Sequence, residues 1–220
     1  MEKIVIFGTG TFAEVAYFYL KNDSKYEIVA FTENRKFIKK DKLFDLPIIP
    51  FEEIENKYNP SEYQLFIAVV YTKMNRVREK IFNEAKLKGY NLIKYINSKA
   101  IIWGEVEIGE NCFILENVVI QPFVKIGNNV IIWSGNHIGH HTTINDHCFI
   151  TSHVVISGNV NVGERCFLGV NSTIRDGITI ANDCLVGAGA IILHDTKYKE
   201  VYKSSPTKPL GIKSDKINRM

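Results

Sequence analysis

The sequence predicts two folds in one chain: an open α/β parallel sheet over residues 1–98, then a parallel β-helix over residues 99–194, followed by a tail at 195–220. Three observations predict this. From residue 102 to residue 192 an aliphatic side chain falls on every sixth position, from Ile102, Ile108 and Ile114 through Val162 and Leu168 to Val186 and Ile192. The residues two places before these are small or medium, among them Ala100, Val106, Cys112, Val118, Asn136, Thr142 and Ser172. The first 98 residues instead alternate short apolar runs with helical stretches, and they open on a glycine-rich turn, Gly8-Thr-Gly10-Thr-Phe-Ala13.

A period of six fits neither the 3.6 of a helix nor the 2 of an ordinary strand. It suits a coil of three flat faces, each turning after six residues, so that eighteen residues make a coil and the stretch supplies about five of them. If roughly a quarter of residues are aliphatic, sixteen successive matches arise by chance about once in a billion. The aliphatic residue and the one two before it point inward. The residue after it is often Gly or Asn (Gly109, Gly127, Asn145, Gly163, Gly187) and reads as a turn position.

In the N-terminal part, Lys3–Phe7 reads as a buried first strand and Glu14–Lys21 as the helix after the glycine turn. Gly-x-Gly-x-x-Ala between a strand and a helix lets backbone approach a phosphate, with the helix N-terminus offering free N–H groups. A tight turn with no ligand uses the same glycines. Glu27–Phe31 reads as a second strand ending at Thr32-Glu33-Asn34, where an acidic residue commonly meets a ribose or base. Leu46–Ile49 and Gln64–Val70 are further strands, Phe51–Lys57 and Met74–Lys88 helices, and Leu92–Ile96 a last strand. The alternation implies a Rossmann-like sheet with ligands at the strands' carboxyl ends. Gly8, Gly10, Thr11, Glu33, Asn34, Lys73, Arg76 and Arg78 are the substrate-binding candidates there, the three cations as phosphate partners or as a solvated helix face.

Cys112, Cys148, Cys166 and Cys184 differ by multiples of eighteen and therefore share one inward column. An inert thiol filling a narrow interior is the expected role, rather than a metal or disulfide column. A net charge of +3 gives no reason to expect nucleic acid. The apolar runs fall short of a membrane span, and the N-terminus enters a strand directly without a signal peptide. The expectation is a cytoplasmic protein without membrane insertion.

The densest chemistry is Trp133-Ser-Gly-Asn-His-Ile-Gly-His-His-Thr-Thr-Ile-Asn-Asp-His147. With Ile138 and Ile144 inward, His137, His140 and His141 project outward, splayed by the flat faces, which argues against a shared metal. A neutral imidazole there can act as a general base. Gly158 lies eighteen residues past His140, one coil above, where a bare backbone could meet a carbonyl or let a thiol arm pass.

On Gly8-x-Gly10, Gly139-His140-His141, Ser157-Gly158-Asn159-Val160 and Ser205-Pro206-Thr207-Lys208, nearly the whole chain resembles the sialic-acid O-acetyltransferase-like (NeuD/PglD-like) sugar acyltransferases. The resemblance implies a left-handed β-helix, a homotrimer, and acetyl-CoA as cosubstrate without a metal. It implies His140 as catalytic base, and acetyl-CoA near Gly158, Asn171, Arg175, Pro206 and Lys208. Where relatives carry an acidic residue after that histidine, this chain has His141, which stands with His140, Asn136 and Asp146 among the catalytic candidates; Asn136, Ser134 and Asp146 are the candidates to orient the base. Phe149 replaces a second histidine of the family. The function implied is N-acetylation of a nucleotide-linked amino sugar for a surface polysaccharide or glycan. The alternatives are O-acetylation of a sialic-acid-like sugar and a non-catalytic nucleotide-sugar-binding protein. Outward aromatics Phe113, Phe123, Trp133, Phe149 and Phe167 are expected beneath the N-terminal domain or at subunit contacts.

Overall fold

The computed structural model describes residues 2–206, 209 and 211. Strand β1 (Glu2–Phe7), helix α1 (Thr11–Asn22), β2 (Tyr26–Glu33), β3 (Lys42–Leu43), β4 (Leu46–Pro50), β5 (Tyr63–Ile67) and α2 (Arg76–Leu87) build the N-terminal unit. Its sheet runs β3-β4-β2-β1-β5, parallel apart from the β3–β4 pair. Both faces of β1 are buried, which is why it reads as a continuous apolar run. Ile4 and Ile6 face α1, whereas Val5 and Phe7 pack with Ile81, Phe82 and Ala85 of α2.

The expected helix at 51–57 is a 3-10 turn, Phe51–Asn56, entered from Pro50. The expected strand at 92–96 divides. Leu92 bridges to Leu65 of the N-terminal sheet, while Tyr95–Ile96 pairs with Phe113–Ile114 of the β-helix. The two folds therefore share residues 92–96 rather than meeting at 98.

The left-handed β-helix stacks two-residue strands into three parallel sheets. The first face holds six strands, from Ile101–Ile102 to Ile191–Ile192; the second holds five, from Glu107–Ile108 to Thr179–Ile180. The third holds seven, from Tyr95–Ile96 to Val201–Tyr202, so part of the C-terminal tail adds a strand onto Leu185–Val186. Eighteen-residue register is kept throughout, as in Val119 against His137 and His137 against Val155. The sixfold aliphatic residues and their small partners form one continuous core.

The glycines that follow the aliphatic residue are not the turn residues expected. Left-handed backbone sits two residues later, at Glu105, Asn111, Asn117, Phe123 and onward every six residues. Gly109, Gly127, Gly139, Gly163 and Gly169 are needed for stacking instead: a Cβ at any of them would lie 2.2–2.6 Å from an atom of the next coil.

All four cysteines are buried and free. The Cys112, Cys148 and Cys166 thiols donate to the carbonyls of Gly127, Gly163 and Ala181 at 3.0–3.1 Å. Burial pushes the Cys112 thiol up to about 12, which leaves it unreactive.

The N-terminal unit sits on the third face. Phe113, Ile131 and Phe149 join Ile4, Phe12, Phe31 and Phe66 in one buried cluster, with Trp133 and Phe167 at its margin. Phe123 alone of the five outward aromatics stays uncovered, 51% exposed.

Candidate active site

His140 follows the inward Ile138 by two residues and lies exposed at the corner between the first and second faces. Three neighbours set its position. Its backbone N–H donates to Gln121 Oε1 at 2.9 Å, from the coil below. Gly158, on the coil above, leaves the ring its place: a Cβ there would lie 2.8 Å from the imidazole Cε1 and Nε2. Its Nδ1 faces Nδ1 of His141 at 3.1 Å.

The adjacent histidines thus converge instead of splaying. His141 occupies the left-handed corner position, at φ 59°, which folds its ring back toward His140. The Phe123 ring, one coil below in the same corner, packs against it at 4.8 Å between centroids. His137 lies apart, half-buried on the first face.

None of the expected orienting partners reaches His140. Asn136 is buried, its amide donating to the Trp133 and Thr151 carbonyls while Oδ1 accepts Val154 N–H at 2.8 Å. Asp146 accepts the Asn128 N–H at 2.6 Å in a different corner, and Ser134 donates to Glu116 at 2.7 Å. These side chains close gaps between coils, a need that the six-residue frame does not reveal residue by residue.

Among the cofactor candidates, Gly158 and Arg175 lie above His140 along the end of the first face, and Asn171 occupies the left-handed corner leading into that face at φ 57°. Pro206 is exposed, and Lys208 lies outside the described residues. Among the described residues, no three His, Cys, Asp or Glu side chains are grouped to hold a metal ion.

In the N-terminal unit, Gly8 takes φ 119° and donates its N–H to Thr32 O at 2.8 Å; a Cβ there would lie 2.7 Å from the Ala68 carbonyl oxygen. Gly10 precedes α1 with nothing within 4 Å of where its Cβ would be, and Thr11 is exposed in the first turn. This turn sits at the carboxyl end of β1 between β2 and β5, where the strand order reverses, which is the place open sheets bind ligands. Glu33 is half-buried beside it. Burial pushes its carboxyl above the usual range, while the Asn34 N–H at 2.9 Å opposes that.

The cationic candidates divide. Lys73 is exposed. Arg76 pairs with Asp183 at 2.7 Å. Arg78 is fully buried and donates to the carbonyls of Asn129, His147 and Cys148 and to Asn75 Oδ1, so its guanidinium is closed off from a phosphate at the surface. Burial without a carboxylate lowers its guanidinium to about 9. Arg76 and Arg78 clamp α2 to the β-helix, where the sequence offers either phosphate partners or a solvated helix face.

Sequence reasoning missed Gln121, the importance of Phe123, and Tyr71, whose ring packs on Phe149 at 5.1 Å and Phe167 at 4.9 Å. Gln121 was findable, since the eighteen-residue frame sets it directly below Gly139.

Residues 3–85 match the PglD N-terminal domain, residues 123–158 the bacterial transferase hexapeptide (six repeats), and residues 159–194 the hexapeptide repeat of succinyl-transferase. A comparison with curated protein sequences returns no match. The chain is similar to a mutant of perosamine N-acetyltransferase from Caulobacter crescentus in complex with CoA and GDP-perosamine, at 25% identity over 90% of this chain and 92% of that one, with a TM-score of 0.80. PerB from Caulobacter crescentus, in complex with the same two ligands, gives 25% identity, 91% of each chain and 0.77. The acetyltransferase domain of PglB from Neisseria gonorrhoeae shares the fold, at 23% identity over 96% of this chain and 100% of that one, with a TM-score of 0.81.

Proposed function

Since the chain belongs to the PglD-like hexapeptide-repeat sugar acyltransferases, we propose that it is an acetyl-CoA-dependent N-acetyltransferase acting on a nucleotide-linked amino sugar, with His140 as general base. The observation that carries this reading is the exposed His140 imidazole, fitted against Gly158 and held by Gln121 at a β-helix corner. The similarity, at 25% identity, to a perosamine N-acetyltransferase crystallised with CoA and GDP-perosamine supports the substrate class.

The substrate amine attacks the thioester carbonyl carbon, and the new C–N bond forms as the C–S bond breaks. CoA leaves as thiolate. The proton shed by nitrogen passes to His140 Nε2 and from there to the departing sulfur. Arg175 and Asn171 meet the cosubstrate along the first face, and the Gly158 backbone beside the His140 ring meets its thiol arm. Gly8, Gly10, Thr11, Glu33 and Asn34 receive the nucleotide, and exposed Lys73 is the cation of the three candidates left for its phosphates.

One chain does not bring the two halves together. The N-terminal unit covers the third face, and α1 begins beside Trp133, with Phe12 6.1 Å from its ring. His140 stands at the far end of the first face. A site shared between subunits of a homotrimer joins them: the corner of one subunit receives the sugar held by its neighbour.

The test is CoA release from acetyl-CoA with a panel of nucleotide-linked 3- and 4-amino sugars, run with His140→Ala at matched oligomeric state. Loss of about 10²–10⁴-fold in kcat is expected. Turnover confined to hydroxyl acceptors would replace the reading with O-acetylation. Nucleotide-sugar binding with no CoA release from any acceptor would replace it with a binding protein.

A further inference from the structure

We propose that His141 is the positioning residue of this site: its Nδ1 accepts the Nδ1–H of His140 and holds the tautomer in which His140 Nε2 is free to take a proton. The inference rests on the reading of His140 as base. Two neutral imidazoles facing each other through Nδ1 at 3.1 Å share a single proton between those atoms. A base that works through Nε2 must carry its own proton on Nδ1, so His141 supplies the lone pair and keeps its proton on Nε2. When His140 accepts the substrate's proton, the Nδ1–H···Nδ1 bond becomes charge-assisted and strengthens. The interaction therefore favours the state in which the base is protonated, the role a carboxylate has in other histidine pairs.

Two features prepare His141 for this. It sits in the left-handed corner, which tolerates His better than most side chains and turns its ring toward His140. Phe123 has the same unfavourable backbone one coil below, at φ 66°, and half its surface is exposed. A bulky aromatic in such a place needs a reason, and the ring it supports is His141. The other side chains against the pair, Gln121 and Phe123, do not ionise. Charged groups in neighbouring stacked positions are Asp176, two coils above His140, Glu105, two coils below His141, and Lys125, paired with Glu107 at 3.0 Å.

The experiment compares wild type, His140→Ala, His141→Phe and His141→Asn, all assayed for CoA release, with histidine tautomers read from long-range ¹H–¹⁵N spectra. His141→Phe keeps an aromatic ring on Phe123, and the left-handed backbone already accepts Phe at that site one coil below. It is expected to lower kcat about tenfold with both KM values unchanged and to release His140 into a mixture of tautomers. His141→Asn suits the backbone and offers Oδ1 to the His140 Nδ1–H, so most of the turnover and the single tautomer should return. His141→Phe with wild-type kcat and an unchanged tautomer, beside an inactive His140→Ala, would overturn the positioning role alone. Wild-type turnover in His140→Ala would overturn the base and the positioning role together.

Discussion

A methyl group on Gly158 would lie 2.8 Å from the His140 ring, and nothing else in the coil gives a closer contact to that position. Gly158 lies outside the left-handed region, so alanine meets no backbone strain there. Gly158→Ala is therefore a clean displacement of the base. The imidazole is free to rotate outward, and stability should change by no more than about 0.5 kcal/mol. Turnover should fall by about 10²-fold, the cost of moving a reacting group by about 1 Å. A melting temperature equal to wild type with a full kcat would show that the ring's seat on Gly158 is irrelevant to catalysis. The frame in the sequence put Gly158 above His140, but it also splayed the three histidines. A corner's φ, which turns His141 back toward His140, is invisible to a period count.

At the scale of elements, α2 is fixed by a polar ladder in the corner between the second and third faces. Asn111, Asn129, His147, Arg165 and Asp183 follow one another at eighteen-residue intervals, all with left-handed backbone. Asn111 donates to Asn129 at 2.9 Å, and Asn129 donates to His147 Nδ1 at 2.9 Å. Arg165 bonds Asp183 and Glu79, each at 3.1 Å. Above it, Lys73, Met74 and Asn75 form a left-handed run costing about 1–2 kcal/mol per residue. Asn75 offsets this by donating to the Arg165 and Cys166 carbonyls at 3.1 and 3.2 Å. Burial lowers the pKa of His147; Glu79 and Asp146 oppose that shift, and Arg78 and Arg165 reinforce it. The unfolded chain therefore binds this proton more readily than the folded one. The stability that neutral His147 contributes is present above the unfolded value of about 6.5 and is lost as pH falls toward the lower folded value. His147→Asn keeps an acceptor for Asn129 and suits the corner, so its melting temperature should fall less than wild type's between about pH 7 and pH 5. Parallel melting curves against pH would exclude His147 as the source. In the sequence Arg76 and Arg78 read as phosphate partners or as a solvated helix face, because basic residues near a glycine turn carry no mark of distant partners such as the Asp183 carboxylate and the Asn129 and His147 carbonyls.

For the whole molecule, the three faces have different outer surfaces. The third is covered by the N-terminal unit, and the second carries polar Glu107, Lys125, Thr143, Asn161 and Thr179. The first presents Ile101, Val119, His137, Val155, Thr173 and Ile191, with Ile101 55% and Ile191 67% exposed. A mainly apolar column of this kind, interrupted only by His137 and Thr173, calls for a partner surface, and symmetric self-association supplies one. Val155→Lys with Ile191→Lys should sediment as a monomer and lose CoA release, while the fold survives by circular dichroism. Wild-type protein that sediments as a monomer at micromolar concentration and still turns over would remove both the trimer and the shared site.

By itself the sequence determined the β-helix, its frame and its inward column. A period of six acts through the same local steric need at every coil, and Ile102 to Ile192 state that need in full. It also determined the strand–turn–helix at Gly8 and Gly10, because the backbone at Gly8, at φ 119° with the Ala68 carbonyl 2.7 Å from any Cβ, admits only glycine. The tertiary structure alone decided which cations are free and which are buried, where the N-terminal unit docks, and that His140 and His141 meet through Nδ1. Those outcomes depend on contacts between residues far apart in the chain, such as Arg78 with the Asn129 and His147 carbonyls, and on side-chain directions at corners. Neither leaves a periodic trace for a reader of the sequence.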